Sequence, residues 1–447
     1  MKKAKALINQ ENITLFSKNF SISNEYSNNG KHKVITLFGI RIKLRIKQKI
    51  SKKEYQSFVN YVQNHQLDKS EFVPISNNYY EFKKNDVKLI SFYLPQFHDF
   101  EENIKWFGRG FSEWSNTSKT VPQFEGHYQP HIPIDLGYYN LNDTNVMKRQ
   151  IELAKQYGIY GFSFYYYWYS GHKLMEKPLE NFLKNKSLDI PFFLFWANED
   201  WTNLWDNGKN KEILYKQELS IDDFKMFMSD ILPYMKDKRY IKINNCPLLI
   251  IYNPLLYPFD MYISFNNKIR KIAKEQGFDD LFIMCPTYRA DKSGCDSYNE
   301  FVTKYNIDAL FEFFPQGIMK RKIKYFRPKI MNKLFKGYCF DMYDFINTKK
   351  YLYQTDVNLF KCVFPHWDNT PRKCYNGATI FQNTPVNYKK WLKDIIVWTK
   401  QNRKSSEQFV FINAWNEWAE GAHLEPDQKY GYAYLQATKD VLEDNNS

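Results

Sequence analysis

From Lys88 onward, short apolar runs alternate with stretches whose apolar residues recur every three or four positions. The runs are KLISFYLPQF (88–97), IYGFSFYYYW (159–168), PFFLFWANEDW (191–201), PLLIIYNP (247–254), LFIMCPTY (281–288), DALFEFFPQG (308–317), NLFKCVFPHW (358–367) and QFVFINAWNEW (408–418). Strands apolar along their whole length argue for a parallel sheet covered by helices. Amphipathic stretches such as TNVMKRQIELAKQYG (144–158), KPLENFLKN (177–185) and NYKKWLKDIIVWTKQN (387–402) supply the cover. Eight such units make an α/β fold of the (β/α)8 type the economical arrangement. A doubly wound open sheet is the alternative, but the first strand ends in LPQFH without the glycine-rich turn that announces one. The expected organisation is a basic N-terminal β module over 1–84 and a barrel over 85–447, with an insertion after strand 6 at about 318–355.

The N-terminal segment follows a different period. In KVITLFGIRIKLRIK (33–47), Ile40, Ile42, Leu44 and Ile46 alternate with Arg41, Lys43, Arg45 and Lys47. Period two predicts a strand with one apolar and one cationic face, paired as a hairpin with Val34 to Phe38. It is either an edge ribbon packed on the body or a module that faces a membrane or partner.

Charge sharpens that choice. Residues 1–53 carry 13 Lys/Arg against 2 Asp/Glu, so most of the net +14 sits here and the body is nearly neutral. A nucleic-acid protein with a charged face throughout is excluded. A second basic stretch, 319–337, has eight cations and no anion. Its Ile323, Phe326, Ile330 and Leu334 fall at helical spacing, predicting a basic amphipathic helix, or two divided by Pro328. This is read as a peripheral membrane contact or a solvated lid. Segments 31–53 and 319–337 therefore suit anionic lipid head groups or pyrophosphate-linked carriers. Six cysteines without C-x-x-C spacing, and no signal-type or membrane-length apolar run, predict a cytoplasmic protein, peripheral on the inner face of the membrane through these patches.

In barrels of this kind the active site forms at the C-terminal strand ends. Those ends hold His98, Tyr166, Trp168, Trp196, Asn198, Glu199, Trp201, Tyr252, Glu312, His366, Asp368, Trp415 and Asn416, and the long first loop adds Glu113, Trp114, His127, Tyr128 and His131. Aromatic faces mixed with hydrogen-bonding groups suit a ligand with apolar ring faces and many hydroxyls. Glu199 either orients a hydroxyl or caps a helix, and His98, His131 and His366 are either ligand contacts or satisfied core histidines. No closely spaced cysteine pair suggests a metal, and no Asp-x-Asp triplet or glycine-rich phosphate loop suggests a nucleotide, so no metal or cofactor is expected.

The segment FVFINAWNEWAEGAHLEPD (409–427) carries the chemistry: an apolar run delivers Glu417 and Glu420 beside Trp415 and Trp418. A tight turn, favoured by Gly421, would bring both carboxylates to one side, as glycosidic chemistry requires of an acid and its partner. The string Glu-Trp-x-Glu-Gly at 417–421 resembles the catalytic motif of glycoside hydrolase family 99, the endo-α-mannosidase type barrels. With YLPQFH, FGRGFSEW, HYQPHIP, GFSFYYYW, WANEDWT and PHWDNTPR, the chain over about 88–440 is similar to the WbsX-like proteins, putative glycosyltransferases of bacterial surface-polysaccharide loci. The resemblance implies Glu417 as the base acting on a sugar 2-hydroxyl and Glu420 as acid and then base. Where the family usually has His between them, this chain has Ala419. The expected partner is a glycan, in lipid-linked form if the chain builds polysaccharide. Transfer is the first expectation, endo-hydrolysis of an α-linked mannan-like glycan the second, and non-catalytic glycan binding the third.

Overall fold

The computed structural model describes residues 12–13, 20–27, 30–38, 40–45, 52–202, 212–220, 222–318, 323, 325–326, 328, 332–374 and 377–444. The chain divides into two compact units, residues 1–65 and 66–447. In the first, Phe20–Ser27, Gly30–Leu37 and Ile40–Arg45 form an antiparallel meander with Asn12–Ile13 at its edge. Leu37 pairs with Ile40, so the two strands form the hairpin that was expected.

The second unit is a closed barrel. Its strands are β1 (Lys88–Tyr93), β2 (Ile159–Tyr169), β3 (Phe192–Trp196), β4 (Cys246–Ile251), β5 (Phe282–Pro286), β6 (Ala309–Phe311), β7 (Leu359–Val363) and β8 (Phe409–Ile412). Each pairs in parallel with the next, and β8 returns to β1 with Phe411 opposite Ile90. Between and after them run α1 (Thr144–Gln156), α2 (Glu176–Lys184), α3 (Asp223–Met235), α4 (Phe259–Glu275), α5 (Tyr298–Lys304), α6 (Met342–Asn347), α7 (Pro385–Asn402) and α8 (Ala433–Asp444). Local chemistry starts several of them: Asp143 accepts the Asn145 N–H at the head of α1, and Thr384 does the same for Asn387 before α7, whose first residue is Pro385. No helix among the described residues is long and apolar enough to cross a membrane.

Phenylalanines fill the lumen. Phe92, Phe195, Phe311 and Phe411, from four different strands, meet with ring centroids 5.5–6.0 Å apart. One layer nearer the C-terminal ends, Tyr165, Tyr252 and Phe313 pack on Phe92 and Phe195 and floor the site above.

The insertion after β6 corrects the sequence reading. Tyr325–Phe326 is extended, not helical, and pairs antiparallel with Tyr338–Asp341, which continues through Thr379–Gln382 to Trp367–Asp368. Aromatic and β-branched residues at these positions favour a pleated side sheet, where Phe340 stacks on Phe381 at 4.9 Å. Leu334 lies in an exposed turn. Residues 319–322, 324, 327 and 329–331, with most of the cations behind the membrane-contact reading, lie outside the described residues.

Candidate active site

Beyond β8 the chain makes a small hairpin, Asn416–Glu417 against Ala422–His423, closed by a 3-10 turn at Trp418–Glu420. In a 3-10 turn residues i and i+3 eclipse, which puts Glu417 and Glu420 on one side. Gly421 ends the turn at φ 61°, and a Cβ there would stand 3.0 Å from the Asp368 backbone nitrogen. The hairpin is tied to the barrel by Asn416, whose side chain accepts the Leu94 N–H (2.7 Å) and donates to the Leu94 carbonyl (3.0 Å). Glu425 fixes the neighbouring tryptophans, accepting from Trp418 (2.6 Å), Trp415 (3.2 Å), Gln150 (2.7 Å) and Tyr139 (2.8 Å). Burial outweighs these donors and pushes the Glu425 carboxyl up to about 7.

Arg372 joins the two glutamates. Its Nη1 donates to Glu420 at 2.5 Å and its Nη2 to Glu417 at 3.1 Å, while Nε and Nη2 reach Glu113 at 3.3 and 3.0 Å. Both carboxylates therefore lie within the span of one guanidinium. Arg372 rides on a single helical turn, Thr370–Lys373, anchored by Asp368 Oδ1 accepting the Thr370 N–H at 2.8 Å. Asp368 is itself gripped by His127 (2.6 Å) and Gln129 (2.7 Å). Burial works against its charge, but His127 and these hydrogen bonds hold Asp368 below its ordinary value.

Three carboxylates on one cation leave an excess of negative charge in a buried place. Burial first, then repulsion from Glu420 and Glu113, raises Glu417 to about 8 against the pull of Arg372, and burial raises Glu420 as well. The pair thus keeps a proton near neutral pH, one carboxyl acidic and one basic, with the proton belonging to the pair. Glu417 is the deeper of the two, its side chain 7% exposed against 21% for Glu420.

They open into a cavity of about 330 Å³, within the size range of small-ligand sites, lined by Tyr165, Tyr167, Tyr169, Phe195, Ala197, Glu199, Asp200, Trp201, Thr202, Tyr252, Phe313, Gln316, Trp367, Arg372 and Lys373. Burial and the nearby Glu417 keep the Tyr165 and Tyr167 hydroxyls protonated and able to donate. At the rim Glu199 pairs with Arg289, whose guanidinium lies over Tyr252 at 4.6 Å.

Of the residues named from sequence, Glu417, Glu420, Glu199, Trp201 and Tyr252 line this cavity. The others lie outside its lining. Tyr166 and Trp168 alternate away from the lumen: Tyr166 donates to Asp230 on α3 and Trp168 packs on Phe227 of the same helix, so the inward set on β2 is Tyr165, Tyr167 and Tyr169. Trp196 faces Phe227 and Phe265 for the same reason. Trp415 and Trp418 are fully buried, Trp418 stacked on His423 at 3.7 Å, so neither offers a face to a sugar. Asn198 clamps the Asn253 backbone. Glu312 is buried in an ion pair with Lys361 at 3.1 Å. Trp114 donates to the Tyr139 carbonyl at 2.7 Å, and His98 lies buried beside Phe100, where burial lowers it to about 4. Tyr128, His131 and His366 belong to a buried cluster behind the hairpin: the Tyr128 ring stacks on His131 at 4.2 Å, and the His366 ring is 5.4 Å from that of His131.

Sequence reading missed Arg372, although it closes the motif PHWDNTPR. Two adjacent cations, Arg372 and Lys373, in a turn just past the seventh strand end, in a chain with three acids bound for the same rim, were the available signal.

Comparison with known proteins follows the same lines. The sequence model of the glycosyltransferase WbsX family matches residues 89–438. The uncharacterized protein WxcX of Xanthomonas campestris pv. campestris strain B100 is 37% identical over 354 residues, covering 79% of this chain and 49% of that protein. The chain thus spans about half the length of the curated relatives it matches. A solved structure described as a glycoside hydrolase-like protein shares the fold with a TM-score of 0.51 at 13% identity, over 83% of this chain and 98% of the other. An endo-alpha-mannosidase of glycoside hydrolase family 99 from Bacteroides thetaiotaomicron gives a TM-score of 0.49 at 14% identity, over 81% and 98%.

Proposed function

The chain belongs to the WbsX glycosyltransferase family, and from that premise we propose that its barrel forms or rearranges glycosidic bonds in the assembly of bacterial surface polysaccharide, lipopolysaccharide O-antigen or capsule, with Glu417 and Glu420 as the acting carboxylates. The observation that carries this reading is their placement on one guanidinium at the mouth of an aromatic-floored cavity. Glycosyl transfer needs an acid for the departing oxygen and a base on the sugar side, and a pair sharing one proton supplies both. The deeper Glu417 suits the base that meets the bound sugar. The more open Glu420 suits the group that first protonates the leaving oxygen and then deprotonates the incoming acceptor, since both of those arrive from solvent. Tyr165 and Tyr167 donate to sugar hydroxyls, and the floor of Phe195, Phe313 and Tyr252 packs against the apolar ring face.

Hydrolysis differs only in the acceptor: water in place of a sugar hydroxyl at Glu420. The test offers purified protein nucleotide sugars with lipid-linked acceptors and, separately, α-linked mannans, and follows products by mass spectrometry. An elongated acceptor supports transfer, shortened mannan transfers the reading to an endo-hydrolase, and neither product overturns it.

The lipid side of the proposal rests on the first unit. Ile40, Ile42 and Leu44 are 68%, 48% and 50% exposed on a strand that also carries exposed Arg41 and Lys43. Aliphatic side chains left in water beside cations suit an anionic membrane surface, which would hold the enzyme near a lipid-linked glycan on the inner face of the cell membrane.

A further inference from the structure

At the hairpin that carries the glutamate pair, two chain segments bring His131 together with His423 and Asp427, with their potential ligand atoms all within 4.8 Å of one another and all three residues buried. None lines the sugar cavity. The His423 Nδ1 lies 2.8 Å from the Glu425 carbonyl, which only accepts, so that nitrogen carries the proton and Nε2 is a lone pair. His131 Nδ1 is 2.7 Å from that Nε2 and must be the donor between them. The other nitrogen of His131, Nε2, is then a bare lone pair, buried and with no hydrogen-bond partner. A second such nitrogen, His366 Nδ1, lies on the neighbouring ring. Buried polar atoms are rarely left so, and two of them beside a His-His-Asp cluster ask for an occupant.

We propose that His131, His423 and Asp427 bind a divalent cation of the zinc type, which braces the hairpin carrying Glu417 and Glu420 against the loop at 127–134. The donor set of two imidazoles and a carboxylate is one that zinc takes. The outer shell is already in place: the Glu425 carbonyl orients His423, the Lys429 and Tyr430 N–H groups hold Asp427 Oδ1 at 2.9 and 2.7 Å, the Tyr128 hydroxyl is a further hydrogen-bond partner of the Asp427 carboxylate, and Oδ2 stands 3.9 Å from His423 Nε2. Tetrahedral ligation with Zn–N near 2.0–2.1 Å separates ligand atoms by about 3.3 Å, so the site closes on the ion by at most about 1.5 Å and opens the His131–His423 contact slightly. With the ion on His131 Nδ1, the ring proton moves to Nε2 and turns a stranded lone pair into a donor beside a ring that has a nitrogen to fill. Water takes the fourth position. The two loops also pair through backbone, Ile134 N–H to the Pro426 carbonyl and Gln428 N–H to the Ile132 carbonyl, so an ion here would lock a junction that already exists.

The test uses the full chain without a histidine tag. Metal content is measured as isolated, then after chelator dialysis Zn²⁺ is titrated back against a chromophoric chelator while the thermal midpoint is followed. One equivalent bound per chain, a rise of several degrees in midpoint, and a loss of at least tenfold in affinity in both His423→Gln and Asp427→Asn are expected. Asp427→Asn keeps the oxygen that accepts the two backbone N–H groups and so preserves the loop. Failure of the stripped wild-type protein to take up one equivalent of Zn²⁺, or unchanged uptake in both variants, overturns the proposal. Neither outcome depends on glycosyl activity.

Discussion

Replacing Arg372 with methionine probes the charge arrangement of the site directly. The guanidinium contacts Glu420, Glu113 and Glu417 at 2.5, 3.0 and 3.1 Å, and Arg372 is nearly fully buried. A single ion contact of about 4 Å between charge centres is worth on the order of 4 kcal/mol at an effective dielectric near 20, before the desolvation of both partners is subtracted. Removing one partner of a buried ion pair costs about 3–5 kcal/mol, because the other is left uncompensated. Here the stranded carboxylates have an escape: they take up protons. Glu417 and Glu420 already sit above their ordinary values in the folded protein, chiefly through burial, so the native state binds more protons than the unfolded chain and stability falls as pH rises from the ordinary carboxylate range toward 8. Without Arg372 those values rise further, the native state holds roughly one more proton, and the slope steepens by up to about 1.4 kcal/mol per pH unit. Urea unfolding at pH 5.5, 7 and 8.5 should therefore show a small gap between wild type and Arg372→Met at pH 5.5 that widens to about 3–5 kcal/mol at pH 8.5. A gap that stays constant with pH, or remains under about 1 kcal/mol at pH 8.5, would refute the reasoning.

Further changes test other parts of the account. Lys361→Met leaves Glu312 buried and unpaired and should cost about 3–5 kcal/mol in urea unfolding with little change in activity per folded molecule, since the pair lies outside the cavity lining. Gly421→Ala combines a left-handed backbone with a Cβ 3.0 Å from the Asp368 nitrogen; a stability loss of about 1–3 kcal/mol and a fall in kcat larger than the change in KM are expected, because Glu420 is the adjoining residue. Flotation with anionic vesicles should retain the wild-type protein at low salt and lose it in Ile40→Ser/Ile42→Ser and in Arg41→Glu/Lys43→Glu, whereas equal flotation of all three removes the membrane role of this strand.

Much of the barrel was legible because its strands are apolar throughout and its helices are periodic, two signals that tertiary contacts reinforce. The fine placement was not. On β2 five aromatic residues follow one another from Phe164 to Trp168, and an all-apolar strand gives no alternation from which to tell the inward Tyr165 and Tyr167 from the outward Tyr166 and Trp168. At 319–337 the three-to-four spacing imitated a helix, yet Tyr325–Phe326 found a strand partner fifteen residues later in the register Tyr325 to Phe340, a pairing that local periodicity cannot foresee. The glutamate pair was visible because both members lie on one short string. Arg372, Glu113 and the His131–His423–Asp427 cluster come from loops far apart in the chain, and only the closure of the barrel brings them together.

The most direct measurement is the rate of sugar transfer by wild type, Glu417→Gln and Glu420→Gln, made with whichever donor and acceptor the wild type accepts and with folding verified by circular dichroism. Each amide keeps the shape of the carboxyl and abolishes its proton exchange, and a positioned acid or base contributes about 10²–10⁴-fold. The account predicts a loss of that size in both variants, with partial recovery in Glu420→Gln when the donor carries a leaving group that needs no protonation. Transfer at wild-type rates in either variant would contradict it.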